Sequence, residues 1–367
     1  MTSVLAGTQR AEAHRISQRG VNLPRVDDVV VVIPSHRTLE WGYLDELSDE
    51  VDVVIVDDSA DGLAPGRRRN VRYFAAEAQE RIMGQHFAAI PHGSSATRNF
   101  GHFLAWHEGY STIISLDSDC RLRPGWLKEH LAQLGAVTEA PAVQAPWVDT
   151  IGRPGVFARG FPYECRDDLA PAPEPTMRSG NVKLHMGLWD GILDMNGVDK
   201  FEAEPPETPV LPVHGAWVVD GRFPLCGMNV SFSSEITPAM FFIPDFTVAG
   251  WRVSRHDDIW GGYIAEALLE LNGDLASFGG PVIEHTQQTP LDRVVVLEHY
   301  QHLLAERFYD VVDRAVASVR PGPYPDVYAA FTSEFEATLA GTPLPGHYRR
   351  AFEEIGAAMA RWAACFV

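Results

Sequence analysis

Three runs of apolar, mostly β-branched residues, Val29 to Ile33, Val51 to Val56 and Thr112 to Leu116, each stop at a cluster of polar residues. They constrain the fold more than any other feature. A Val/Ile run without polar alternation has no face for water, so it reads as a strand covered on both sides, as in a parallel sheet. The first run closes with Pro34-Ser35-His36-Arg37, the second with Asp57-Asp58 and the third with Asp117-Ser118-Asp119. A short helical segment, Leu39 to Leu47, separates the first two runs, which makes a strand–helix–strand unit. Ligands of such sheets lie beyond the carboxyl ends of the strands, so the three polar ends are expected to converge.

Asp117 and Asp119 are carboxylates one residue apart at a strand end. This is a hard-oxygen site suited to Mg²⁺ or Mn²⁺, which can bridge the phosphates of a nucleotide. Asp119 is the expected direct ligand, with Asp117 reaching the metal or a ribose. Asp57 or Asp58 would hydrogen-bond the base or ribose, although loop capping explains that pair equally well. Upstream, Ser95-Ala96-Thr97-Arg98-Asn99-Phe100-Gly101 reads as a loop entering a helix that leads into the third strand.

Farther along, residues 141–225 are rich in Pro, Gly and aromatics and read as long loops with short strands. Phe223 to Phe232 reads as a buried strand with a Gly where a ligand or backbone comes close. Asp257-Asp258 opens a helix whose apolar positions are Ile259, Tyr263, Ile264, Ala267, Leu268 and Leu271. Pro281 to His285 reads as a last short strand. From about 291 the pattern is helical, broken near Pro321–Pro325 and Pro343–Pro345. The expected organisation is a flexible arm over 1–26, a catalytic domain over 27–290 and a helical C-terminal region over 291–367.

Composition excludes several classes. The formal net charge is −19 with no basic run, which argues against nucleic-acid binding. An acidic protein that binds a phosphorylated substrate needs a cation to offset repulsion. Cys120, Cys165, Cys226 and Cys365 are scattered without a Cys-x-x-Cys pair, so neither a zinc site nor a disulfide framework is indicated. No secretory core or membrane span is visible, and the expected location is the cytoplasm. Only three lysines, Lys128, Lys183 and Lys200, stand against many arginines, a bias that suggests a GC-rich bacterial genome.

The segment from Ala96 through Asp119 resembles the Ala-Arg-Asn-x-Gly…Asp-x-Asp stretch of GT-A glycosyltransferases. The matching extends through Val31–Ser35, Asp117–Cys120, Arg159–Arg166, Gly187–Trp189, Phe223–Asn229, Arg255–Trp260 and Val282–His285, in order. Over roughly 28–290 these segments resemble the reversibly glycosylated polypeptides, also called UDP-arabinopyranose mutases. The resemblance implies an α/β, Rossmann-like GT-A fold, with a mixed, mostly parallel sheet flanked by helices. It also implies a UDP-sugar as the substrate and a role for His285 as third metal ligand. Arg98 would face the diphosphate or a strand-end carboxylate.

The family carries its sugar on an arginine of the pattern Arg-Gly-Tyr-Pro-Phe-x-x-Arg, whose second arginine falls on Arg166. A guanidinium is a poor nucleophile, so a nearby carboxylate must accept its proton, and Asp257 and Asp258 are the expected sources. Pro34, Ser35, Arg37, Asn229, Trp189 and Trp260 complete the expected nucleotide and sugar contacts, the two tryptophans as pocket walls. A pyranose/furanose mutase with reversible self-glycosylation is the implied activity. A glycosyltransferase with a small acceptor and a non-catalytic, self-glycosylated subunit are the alternatives. Association with further copies of the chain is a further expectation.

Overall fold

A computed structural model describes residues 28–35, 47, 51–59, 70–151, 155–166, 176–202, 216–286 and 290–367. The helical segment read at Leu39 to Leu47 lies almost wholly outside the described residues, as does Arg37.

The first half of the chain forms β1 (Val29–Ser35), β2 (Asp52–Asp57), β3 (Val71–Phe74), α1 (Ala76–Met83), α2 (Asn99–Glu108), β4 (Thr112–Leu116), β5 (Cys120–Arg121), α3 (Trp126–Ala132) and β6 (Gly135–Trp147). The second half supplies β7 (Thr176–Gly191), α4 (Asp199–Glu202), β8 (Ala216–Arg222), β9 (Asn229–Ser233), β10 (Phe246–Val248), β11 (Trp251–Val253), α5 (Asp257–Asn272) and β12 (Leu275–His285). Three helices end the chain: α6 (Leu291–Val316), α7 (Tyr324–Gly341) and α8 (Gly346–Ala363).

Ten strands form one mixed sheet in the order β3-β2-β1-β4-β9-β7-β6-β8-β12-β5. The edge β3-β2-β1-β4 is parallel throughout. Every residue of β1 is buried, as an unbroken Val/Ile run requires. Helix α2 crosses this part of the sheet at Gly101, where a Cβ atom would collide with the side chains of Val32 and Val56.

The long-loop reading is overturned over 141–147, 176–191 and 216–222. Residues 141–225 contain most of β6 and all of β7 and β8, and β7 is 16 residues long. The strands escape a sequence reading because the first half of β7 is largely exposed and polar. Its ladder with β6 is held by main-chain hydrogen bonds rather than by an apolar face. The strand expected over Phe223–Phe232 is also shorter, beginning at Asn229, and the one at Pro281 is the end of the 11-residue β12.

The C-terminal helices share one apolar core with the sheet. Trp362 of α8 stacks on Phe241 with ring centroids 5.4 Å apart, and its indole N–H donates to the Pro238 carbonyl at 2.9 Å. Glu298 of α6 accepts the Gly197 N–H at 2.8 Å. Among the described residues no helix is long and apolar enough to cross a membrane.

Candidate functional site

The antiparallel pairing of β12 with β5 sets His285 opposite Cys120 and so brings it beside Asp119. His285 Nδ1 lies 2.7 Å from the Ile192 carbonyl oxygen. A carbonyl can only accept, so Nδ1 carries a hydrogen, and in the neutral ring Nε2 holds the lone pair. That Nε2 is 4.0 Å from Asp119 Oδ2. A histidine oriented through one nitrogen by a main-chain carbonyl, with the other facing a carboxylate, is a donor set for a divalent cation. Among the described residues, no group of three or more His, Cys, Asp or Glu side chains is gathered closely enough to hold a metal unaided. Two protein ligands suit an ion completed by substrate phosphates and water, as is usual for Mg²⁺.

Asp117 does not stand with this pair in the same way. Its carboxylate accepts from Arg98 Nη2. Arg98 is 2% exposed and spends its other groups on the protein: Nε on the Ser95 carbonyl at 3.1 Å, Nη1 on Ser115 Oγ at 2.9 Å and the Gly227 carbonyl at 2.5 Å. Its guanidinium also lies 4.9 Å from the Phe242 ring centroid. Of the two expected roles, the structure places Arg98 on the strand-end carboxylate.

The acid pair at the start of α5 divides into two unlike groups. Asp258 accepts from Arg159 Nη1 and Nη2 at 3.0 and 2.7 Å, from the Gly227 N–H at 2.9 Å and from the Ile259 N–H at 3.0 Å. Burial alone would raise its pKa, but the Arg159 guanidinium outweighs burial and holds it below the usual carboxylate value. Asp257 accepts from Ser95 Oγ. Burial first, and the neighbouring Asp258 charge second, push its pKa well above the ordinary aspartate value. A carboxyl so poised can take or give a proton near neutrality, whereas Asp258 is committed to its ion pair.

Asp258 is one end of a buried network. Arg159 Nε also donates to Asp194 at 2.5 Å, and Asp194 accepts from Arg255 at 3.0 Å. Arg255 donates in turn to Glu298 of α6 at 2.8 Å. The sequence reading missed Asp194, Arg255 and Glu298 as partners. Arg159 stood in a quoted motif, but nothing in its spacing distinguishes it from Arg166.

Arg166 pairs with a carboxylate outside that network. Its two terminal nitrogens donate to the two oxygens of Asp199 at 2.8 and 3.0 Å. The Tyr163 and Phe157 rings cover its faces at 3.8 and 4.3 Å. The carboxylate beside Arg166 is therefore Asp199, not Asp257 or Asp258. An acid at the third position of Gly197-Val198-Asp199-Lys200 carried no sequence signal for this.

Several expected ligand contacts are placed in the interior instead. Trp260 is fully buried and stacks on Phe308 at 4.3 Å, so it is a core residue and not a pocket wall. Asn229 is fully buried and ties three strands together, donating to the Leu188 and Pro281 carbonyls at 2.9 and 3.0 Å, with Oδ1 2.8 Å from His130 Nε2. Trp189 is 3% exposed on β7, two residues before Gly191, which pairs with His285. Pro34 and Ser35 end β1 beside Val56 and Asp57, and Ser35 is buried. Asp57 Oδ1 accepts the Ser59 N–H at 2.8 Å. Asp58 accepts the Gly93 N–H and lies 3.1 Å from His92 Nδ1, which pins the 92–93 loop to the end of β2.

Against known proteins, the family described as reversibly glycosylated polypeptide matches residues 24–366. The chain belongs to that family. The match includes the C-terminal helices, which the motif resemblance had left out. A relative from Arabidopsis thaliana, probable UDP-arabinopyranose mutase 4, is 24% identical over 72% of this chain and 71% of its own length. UDP-arabinopyranose mutase 1 of the same plant is 24% identical over 71% of this chain and 72% of its own. Probable UDP-arabinopyranose mutase 2 of Solanum tuberosum is 26% identical over 56% and 54%. The mixed α/β sheet with C-terminal helices agrees with a GT-A-like fold.

Proposed function

We propose that this protein is a metal-dependent UDP-sugar mutase that interconverts pyranose and furanose forms of a UDP-pentose, with the sugar held transiently on Arg166. The observation that carries the reading is the Asp119–His285 pair, set at the carboxyl end of the sheet in a chain of this family. The printed names of the relatives supply the substrate class.

Asp119 and His285 would hold Mn²⁺ or Mg²⁺, which supplies charge neutralisation to the departing diphosphate. Arg98 keeps Asp117 turned toward the same strand end. A nitrogen of Arg166 forms a bond to the anomeric carbon as the carbon–oxygen bond to the diphosphate breaks, and the leaving oxygen takes the electron pair. The proton lost from the guanidinium passes to Asp199, which lies within hydrogen-bond distance at both oxygens. After ring contraction the diphosphate displaces the nitrogen and Asp199 returns the proton. Asp257 exchanges the proton that the sugar hydroxyl and ring oxygen need during contraction.

The purified chain, incubated with UDP-arabinopyranose and Mn²⁺, is expected to yield the furanose form by chromatography. Peptide mapping is expected to find one sugar mass on the Arg166 peptide that disappears when excess UDP is added. A sugar mapped to Arg159 would move the carrier to the other arginine of the motif. Unchanged nucleotide sugar with metal present would overturn the mutase reading. Turnover only with an added acceptor would identify a glycosyltransferase, and an adduct without turnover a non-catalytic subunit.

A further inference from the structure

We propose that Ser95 is a positioning residue that couples the two halves of the site, holding the Asp257 carboxyl with its hydroxyl and the Arg98 guanidinium with its carbonyl oxygen. The inference rests on the reading of Asp257 as the acid–base group.

The geometry forms a closed ring. The Ser95 carbonyl accepts from Arg98 Nε at 3.1 Å, and Arg98 Nη2 holds Asp117. Arg98 Nη1 reaches the Gly227 carbonyl at 2.5 Å, while the Gly227 N–H reaches Asp258 at 2.9 Å. Asp258 neighbours Asp257, whose Oδ2 accepts from Ser95 Oγ and closes the ring. A single residue therefore touches both the branch that orients a strand-end carboxylate and the branch that carries the proton-exchanging carboxyl.

Four side chains act on Asp257 besides burial. Asp258 on the same helix disfavours its charge, Arg98 from the 95–98 turn and Arg159 from the segment before Gly160 favour it, and Ser95 favours it by hydrogen bonding. The main-chain carbonyl of Asp257 is spent on the Ile243 N–H at 3.1 Å. A serine hydroxyl has one hydrogen to donate. Given to Asp257, that hydrogen stabilises the carboxylate where burial opposes it. Removing it must raise the proton affinity of Asp257. The Ser95 carbonyl remains in any substitution, so the Arg98–Asp117 branch stays in place.

The test compares Ser95→Ala, Ser95→Cys and Ser95→Thr in the full chain. In Ser95→Ala, the limb of the turnover–pH profile set by Asp257 should move up by about one to two pH units, the size of one charge-assisted hydrogen bond. Ser95→Cys, a weaker donor of similar size, should move it less in the same direction. Ser95→Thr should restore it. Affinity for UDP with Mn²⁺ should stay within about twofold in all three, since Arg98 is untouched. A purely structural serine would lower thermal stability and leave the limb in place.

A readout without turnover keeps the inference separate from the proposed function. Asp257 is titrated by carboxyl carbon NMR, assigned by its loss in Asp257→Asn. An upward shift in Ser95→Ala, reversed in Ser95→Thr, supports Ser95 as the group that sets Asp257 even if no nucleotide sugar turns over. An unshifted Asp257 titration in folded Ser95→Ala or Ser95→Cys overturns it.

Discussion

The carboxylates at the strand ends and those of the buried network have the same chemistry and opposite uses. Asp117 and Asp119 keep 33% and 26% of their side chains open to solvent. Asp194, Asp258 and Glu298 keep 7%, 8% and 2%. The difference follows from how many donors the protein itself supplies. Asp258 receives four, two from one guanidinium and two from the main chain, and has no capacity left for a ligand. Asp119 faces an imidazole lone pair, an arrangement that a divalent cation would complete. Asp257 lies between these extremes, buried like the network but accepting from Ser95 Oγ rather than from a guanidinium. Burial and the neighbouring Asp258 charge raise its proton affinity, unlike that of Asp258.

If the interior depends on groups kept neutral or paired, acid should unfold the protein from within. Burial lowers the pKa of His102 and His130 to about 3 and of His185 and His256 to about 4. The unfolded value is about 6.5. Below that pH the unfolded chain binds protons that the folded one refuses, so stability is present above about 6.5 and is lost as pH falls toward 4. Glu266, raised to about 8 by burial, and Asp257, also raised, bind protons in the folded state and offset part of the loss. The net expectation is on the order of 2 kcal/mol lost per pH unit below about 6. Urea titrations at stepped pH check it, and a flat profile from pH 7 to 5 would refute the neutral-histidine interior.

Within the network, Arg159→Ala leaves Asp194 and Asp258 buried without their shared cation. The expected cost is about 3–5 kcal/mol, read as a drop in urea midpoint. A loss below about 1 kcal/mol would mean that the network is not what holds the start of α5.

At the open edge the opposite pattern is expected. Asp119→Ala should keep its melting temperature within a few degrees while turnover falls by more than about 100-fold, beyond the loss usual for outer-shell partners. Chelation should reproduce that loss in the wild type, and Mn²⁺ should reverse it. Full activity in excess chelator would remove the metal from the proposed function.

The smallest effect belongs to Asn229, a residue of the interior within a motif read as sugar-binding. Asn229→Ala should destabilise by about 1–3 kcal/mol, because the Leu188 and Pro281 carbonyls lose their donor. Affinity for UDP should be unchanged, and a selective loss of nucleotide affinity without destabilisation would return Asn229 to the binding site.

The parallel edge of the sheet was legible in the chain because its information is local. Val29–Ile33, Val51–Val56 and Thr112–Leu116 are apolar on both faces wherever they are read, and a polar cluster must end each of them. The three C-terminal helices, broken at proline-rich turns, were legible for the same reason. Strands β6 and β7 were not, since ladder hydrogen bonds between main chains leave little trace in side-chain polarity. The site divides along the same line. Asp117 and Asp119 announce themselves by spacing, but spacing cannot say which carboxylate is already satisfied. That depended on Arg98 turning to Asp117, Arg159 to Asp258, and Asp199 to Arg166, pairings across 19, 99 and 33 residues. A carboxylate's proton affinity and its availability to a ligand depend on burial and on the donors around it, and only the folded chain brings those donors together.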